Sequence, residues 1–274
     1  MTTMTPDRTL TSQSAAAILS GEFDKSQLLL PYQKRWIADA SQLKIAEKSR
    51  RTGLTWAEAA DAALNGSMSV EAGGCDTFYV GTTKDMAREF IDACAMWAKA
   101  YDRAASGIGE EVLKDEDKDI LVYVIQFASG YKIKALSSNP SNLRGMQGNV
   151  IIDEAARSIS SELAIAMQSA KRVLLVGDHL QLPPLYSDAH KAALARRLGI
   201  HDQRTELDEV LRSDFARAFN SDYGRQTSAT LLTQYRMAPP IGDLVSQIFY
   251  RGQLENGARA IPDIYQGAPA ALRS

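Results

Sequence analysis

Apolar residues recur along this chain in two rhythms. Leu43 to Ala46 is a short apolar run and TFYV at 77–80 a compact strand pattern, while the continuous runs within NVII at 149–152 and RVLLV at 172–176 suit strands buried on both faces. Between them, Trp56, Ala57, Ala60 and Leu64, then Met86, Phe90, Cys94, Trp97 and Tyr101, recur at helical spacing. A short helix is predicted from Tyr32 to Ala38, and further helical stretches at about 187–197 and 205–219. ILVYVIQF and YKIKALS flank Ala128, Ser129 and Gly130 and predict a hairpin. The run EEVLKDEDKD, 110–119, is expected to be a solvated acidic loop. Strands separated by helical segments imply an α/β fold, a parallel sheet flanked by helices. Residues 1–25 are polar and expected to be a flexible segment, 26–224 the core, and 225–274 the start of a second domain.

Composition narrows the function classes. The 274 residues are 45% apolar and 23% charged, enough for a sizeable core, and the formal net charge is -2. There is no basic excess, so any nucleic-acid contact must come from a local patch. Cys75 and Cys94 lack metal-type spacing, and no apolar run reaches the length of a membrane span. The N-terminal stretch has no charged region leading into an apolar one, so no secretory signal and a cytoplasmic setting are expected.

Chemistry gathers where the apolar runs end. EKSRRTGLTW, 47–56, lies between a strand and a helix, where chains hold phosphate on helix N-terminal amides. The common cradle G-x-x-x-x-G-K-[ST] wants a lysine before its hydroxyl, and Leu54 stands there instead, ahead of Thr55. Asp153 and Glu154 end the run NVII. An acid there can hold the magnesium of a nucleotide, and the next carboxylate can take a proton from attacking water. Taken alone, the pair reads sooner as a surface Asp-Glu after a buried strand. VLLVGDHLQLPP then ends another strand with Asp178 and Gln181, and Pro183-Pro184 stiffens the loop. Phosphate turn, acid pair and polar sensor, in that order, point to a nucleoside triphosphatase.

Two resemblances sharpen this. LLPYQKRWIAD, EKSRRTGLTWAEAA and ALSSNPSNLRGMQGNVIIDEAA, within about 29–156, resemble the ATPase domain of phage terminase large subunits, particularly those of Mu-like phages. Some terminases carry a deviant phosphate loop with the lysine moved to the front. That likeness implies that Lys48 replaces the lysine missing at Leu54, with Ser49, Arg51, Thr52 and Gly53 around the phosphates, Thr55 on the metal, Arg50 stabilising transition-state charge and Gln33 reading adenine. A lysine is a mobile point charge on four methylenes and can reach the β/γ-phosphates from either end of a tight loop.

From about 150 to 257, VIIDEAARSISSELAIAMQSAKRVLLVGDHLQLPP and LLTQYRMAPPIGDLVSQIFYRGQLENG resemble superfamily-1 helicases of the nonsense-mediated-decay branch. That likeness implies Gln181 as the γ-phosphate sensor, Arg236 as an arginine reaching the γ-phosphate from a second RecA-like domain, and Tyr235 stacking on adenine. Both families use a RecA-like core, so a mosaic joined at DEAA is foldable. The resemblances imply ATP and Mg2+, with Asp153 and Thr55 on the metal and Glu154, Gln181, Arg50 and Arg236 in catalysis. They also imply DNA or RNA as partner, together with phage packaging or replication proteins, and no membrane. By the helicase likeness Thr82, Thr83 and Lys84 contact nucleic-acid backbone, and Arg144 couples nucleotide to DNA; a plain helix cap at Thr83 fits equally. A helicase-type motor, a packaging ATPase and a nucleotide-binding adaptor all remain open, since a nuclease domain and a complete second motor domain are both expected and neither is visible.

Overall fold

The continuous apolar runs become the middle of one sheet. The computed structural model describes residues 29–48, 53–101, 105–115, 118–137, 140–168, 170–200, 207–208, 211–234 and 237–257. Strands β1 (Leu43–Lys48), β2 (Thr77–Gly81), β3 (Gly109–Asp115), β4 (Lys118–Gln126), β5 (Lys132–Ser137), β6 (Gly148–Ile152), β7 (Ala170–Gly177) and β8 (Ser228–Leu231) lie in the order β3-β4-β5-β2-β6-β7-β1-β8. β5, β2, β6, β7 and β1 pair in parallel. One strand, β7, is inserted between β1, which leads into the basic turn, and β6, which ends in the acid pair. This is the strand order expected of a RecA-like core.

The described residues divide into two compact units. The first comprises Ser41–Lys48 and Ala59–Thr230 and holds the sheet. Its core gathers Ile45, Phe78, Val80, Leu136, Leu143, Val150, Ile152, Val173, Leu175 and Phe215. Helix α2 (Leu54–Ser67) buries Ala59, Ala60, Ala62 and Ala63, side chains small enough for close packing. At Gly66 a Cβ would stand 2.8 Å from the Phe127 ring. Helix α3 (Lys84–Ala100) packs on β2, β4 and β5; its buried residues include Phe90, Cys94 and Trp97 of the predicted face, with Ile91 beside them. Phe90 stacks on Tyr79 with centroids 4.2 Å apart; complete burial of such a ring contributes about 1.5–3 kcal/mol. Helices α4 (Ser160–Met167), α5 (Asp188–Leu198), α6 (Asp214–Asn220) and α7 (Asp222–Thr227) follow. Of the helical stretch expected at 205–219, 207–208 and 214–219 are helical, the latter within α6, and 205–206 and 209–210 lie outside the described residues; α6 is broken from α7 at Ser221, a serine that caps the second helix.

One expectation is corrected. Residues 110–115 and 118–119 of the acidic run are not loop but strand: β3 and β4 pair antiparallel there, with Glu111 opposite Val122 and Lys114 opposite Asp119, while 116–117 lie outside the described residues. The apolar pair Val112 and Leu113 gives the run strand character, and its charges suit β3 as an edge strand that must resist pairing with other chains. Lys134 on β5 bonds the Glu111 carboxylate at 2.7 Å. The predicted hairpin is present as β4 and β5, turning through Gly130 at φ 93.

The second unit takes, of the described residues, 29–40, 53–58, 231–234 and 237–257. It contains α1 (Pro31–Ala38), the first turn of α2, the parallel pair β9 (Thr233–Gln234) and β10 (Glu255–Asn256), and α8 (Pro239–Phe249). Proline opens both α1 and α8, where its missing N–H costs nothing. Buried Gln234 accepts from the Met237 N–H at 2.7 Å and donates to Asn256 at 2.6 Å. Gly242 of α8 makes room for Asn256: a Cβ there would lie 2.0 Å from the Asn256 amide oxygen.

Candidate nucleotide site

The parallel strands deliver their carboxyl ends to one edge. Val80 is in register with Ile152, Ile152 with Leu175, and Glu47 with Gly177, so Asp153 and Asp178 each stand one residue beyond their strand. Open parallel sheets bind ligands there.

Asp153 is buried and held from two sides. Its Oδ2 accepts from the Tyr79 hydroxyl at 3.0 Å, and its Oδ1 accepts from the Glu154 N–H at 3.0 Å. Burial first, and then the Asp153 carboxylate, pushes the Tyr79 hydroxyl well above its ordinary range, so it remains a donor. Glu154 has φ 59 and ψ 32, the left-handed conformation, which L-residues with side chains seldom adopt. Strain of this kind persists only where surrounding structure enforces it, and it concentrates at functional sites. The enforcing contacts are at hand. The Glu154 carbonyl accepts from the Arg157 N–H at 2.9 Å, and the Ser213 hydroxyl donates to the Ala156 carbonyl at 3.0 Å. Gly177 of β7 lies under the turn, where a Cβ would come within 2.9 Å of the Ala156 nitrogen. Two alanines after the acid pair and a glycine on the neighbouring strand therefore serve one close approach.

Past β7 the loop is organised by Asp178. Its Oδ1 accepts from the Leu180 N–H at 3.0 Å, and its Oδ2 from the Gln181 side-chain amide at 2.7 Å. With that amide nitrogen engaged, the remaining polar atom of Gln181 is an acceptor, the type needed to orient a water through its proton. His179 pairs with Glu47 at the end of β1. The Glu47 hydrogen bond, opposed by desolvation, holds the imidazole above its ordinary range. Tyr79, Glu47 and His179 were not singled out in the sequence. Their partners are remote in the chain, 74 positions for Tyr79 and Asp153, and only the sheet register brings them together.

Thr82, Thr83 and Lys84 follow β2 at the same edge and are exposed. The Thr83 hydroxyl accepts from the Met86 N–H at 3.2 Å and caps α3, and Thr82 donates to the Met86 sulfur at 3.3 Å. Arg144 is exposed in the turn before β6.

In the second unit, Leu54 is 2% exposed at the start of α2, a position for an apolar side chain and not for a lysine. Thr55 follows it in the first helical turn. Gly53 has φ 82. Gln33 is buried; its amide donates to the Gly53 carbonyl at 2.7 Å and accepts from the Leu30 N–H at 2.8 Å. Both ends of the group expected to read adenine are therefore spent on main chain, one of them on the turn itself. The Lys48 side chain, Ser49, Arg50, Arg51, Thr52, Tyr235 and Arg236 lie outside the described residues.

The donor chemistry fits magnesium. Among the described residues no three His, Cys, Asp or Glu side chains gather as a metal cage. A cation on Asp153 would take its other ligands from hydroxyl, water and phosphate, which is how Mg2+ with a nucleotide is held. Among the described residues no helix is long and apolar enough to cross a membrane.

Fold and sheet edge together define the class: a RecA-like α/β core with Asp153, Glu154 and Asp178 at the carboxyl edge of its parallel strands. Two family models, both described as AAA domain, match residues 135–188 and 210–270. The chain is 56% identical over 194 residues to Mu-like prophage FluMu protein gp28 of Haemophilus influenzae, covering 69% of this chain and 38% of that one. It is 42% identical over 194 residues to the probable terminase, large subunit gp28, of Escherichia phage Mu, covering 67% and 35%. It is 34% identical over 115 residues to the regulator of nonsense transcripts 1 homolog of Neurospora crassa, covering 41% and 9%. The chain thus spans little more than a third of the phage relatives' length. Among solved structures, the Thermus phage P74-26 large terminase ATPase domain has a TM-score of 0.37 at 16% identity, over 58% of this chain and 66% of that one. Arterivirus nonstructural protein 10 (helicase) with DNA has 0.42 at 14%, over 82% and 43%.

Proposed function

We propose that this chain is an ATP-binding, Mg2+-dependent nucleic-acid motor ATPase, built on a terminase-type phosphate turn and a helicase-type sensor loop. One observation carries the reading: a strained Glu154 beside a buried, doubly held Asp153, next to the strand that presents Asp178 and Gln181. Glu154 takes the proton of the attacking water, and Gln181 orients that water as an acceptor. Lys48 and Arg50 set positive charge against the developing phosphate charge. Mg2+, held by Asp153 and Thr55, would neutralise phosphate oxygens. Arg236 and Tyr235 belong to the same reading as residues of a partial second RecA-like domain, 225–274, that act on the γ-phosphate and adenine. Thr82, Lys84 and Arg144 are the proposed contacts to nucleic-acid backbone; the Thr83 hydroxyl acts as a cap.

A DNA-packaging role is the favoured form, because two phage relatives, one of them a probable terminase large subunit, match about two thirds of the chain. A helicase-type role is the second reading, supported by the regulator of nonsense transcripts 1 homolog and by the two AAA domain matches. ATP turnover with and without single- and double-stranded DNA, for wild type, Lys48→Ala and Glu154→Gln, tests the proposal. DNA-stimulated turnover lost in both variants supports it; ATP bound but never hydrolysed by any of the three makes the chain an adaptor.

A further inference from the structure

Glu47 is an anomaly in its strand. It is buried at the end of β1, in register with Gly177 of β7 and one residue before Lys48. Its carboxylate meets the His179 Nδ1, and its Oε2 accepts from the Thr230 hydroxyl at 3.3 Å. The His179 ring is largely buried and packs at 5.2 Å on Phe219. A buried ion pair is weak support for stability, since desolvation offsets most of its attraction and an apolar pair of the same shape would do as well. What the pair does uniquely is geometric. His179 lies between Asp178 and Gln181, in a loop whose internal bonds run from Asp178 to Leu180 and Gln181. Those bonds shape the loop. The imidazole ties it sideways to β1.

We propose that Glu47 and His179 are positioning residues for hydrolysis, a clamp that holds the Gln181 loop against the strand end from which the phosphate turn departs. The inference rests on the ATPase reading for its effect on turnover, and on the loop itself for its mechanical part. His179→Ala removes the tie and leaves the nucleotide contacts in place. The kcat for ATP falls roughly ten- to a hundredfold, as expected when a water-orienting group is misplaced by an ångström, while KM for ATP stays unchanged. His179→Asn, whose amide can stand in for Nδ1–H, restores most of the loss. A purely structural role would move stability and leave this split and rescue absent. Hydrogen exchange on the full chain gives a readout independent of hydrolysis: the Leu180 and Gln181 amides exchange faster in His179→Ala, while those of β6 and β7 do not change. Glu47→Gln supplies the same comparison should His179→Ala fail to fold. Unchanged loop exchange, or unchanged kcat in a chain that hydrolyses ATP, overturns the clamp. If wild type hydrolyses no ATP, the ATPase reading falls, and the exchange result alone decides the clamp.

Discussion

Replacing Glu154 separates backbone strain from side-chain chemistry, and the sign of the effect is informative. At φ 59 and ψ 32 the residue occupies the left-handed region. An L-residue with a Cβ is disfavoured there by about 1–2 kcal/mol. Glycine escapes that cost but gives up about 0.5–1 kcal/mol of additional chain entropy on folding. Glu154→Ala and Glu154→Gly both delete the carboxylate, so whatever that group contributes cancels between them. The glycine variant is then the more stable by about 0.5–1 kcal/mol, the reverse of the usual order of these residues in regular structure. For a unit of this size that is a difference of roughly 1–4 °C in melting midpoint. Thermal and urea unfolding followed by circular dichroism on the two variants reads it directly, and both lose ATP turnover by roughly a hundredfold or more with the base gone. An alanine variant more stable than the glycine one would show that the turn is not strained, and the argument for an enforced acid pair would fail.

Three further outcomes follow from single contacts. Tyr79→Phe deletes the hydroxyl that donates to Asp153 at 3.0 Å, a bond to a charged group, and lowers unfolding free energy by about 1.5–3 kcal/mol; urea midpoints equal to wild type would refute the bond. Gly177→Ala places a Cβ 2.9 Å from the Ala156 nitrogen, costs about 1–3 kcal/mol through overpacking, and displaces the acid turn so that turnover falls in step; a variant with native stability and turnover would contradict the close approach. Glu47 raises the His179 imidazole above its ordinary 6.5, so the pair's stabilisation is fully present below that pH and is lost as pH rises through the higher folded-state value. The stability gap between wild type and His179→Asn should therefore close from about pH 6.5 upward, and a gap that widens toward alkaline pH would reverse the assignment.

The sheet was legible because its central strands announce themselves. FYV at 78–80, VII at 150–152 and VLLV at 173–176 are buried throughout, and unbroken apolar runs have few other uses. The acid pair was legible for the same reason, as the first polar residues after NVII. In the run 110–119 the density of charge hides the strand signal of the Val112–Leu113 pair, since an edge strand tolerates charges that a central one would not. Tyr79, Glu47 and His179 carry no local pattern: each matters through a partner on, or just past the end of, another strand, and register is a property of the folded sheet. Gln33 illustrates a different limit. Its position before the basic turn was visible, but that its amide would bond the Gly53 carbonyl depends on the entry of α1 toward that turn.

In the proposed site Lys48 is the displaced phosphate lysine. Equilibrium titration with MgATP in a Glu154→Gln background, which removes turnover, compares chains with and without Lys48→Ala. Loss of a charge-assisted bond worth about 1.5–3 kcal/mol predicts affinity weakened roughly ten- to a hundredfold. Equal affinity in the two chains would contradict the assignment, and with it the phosphate site proposed at this sheet edge.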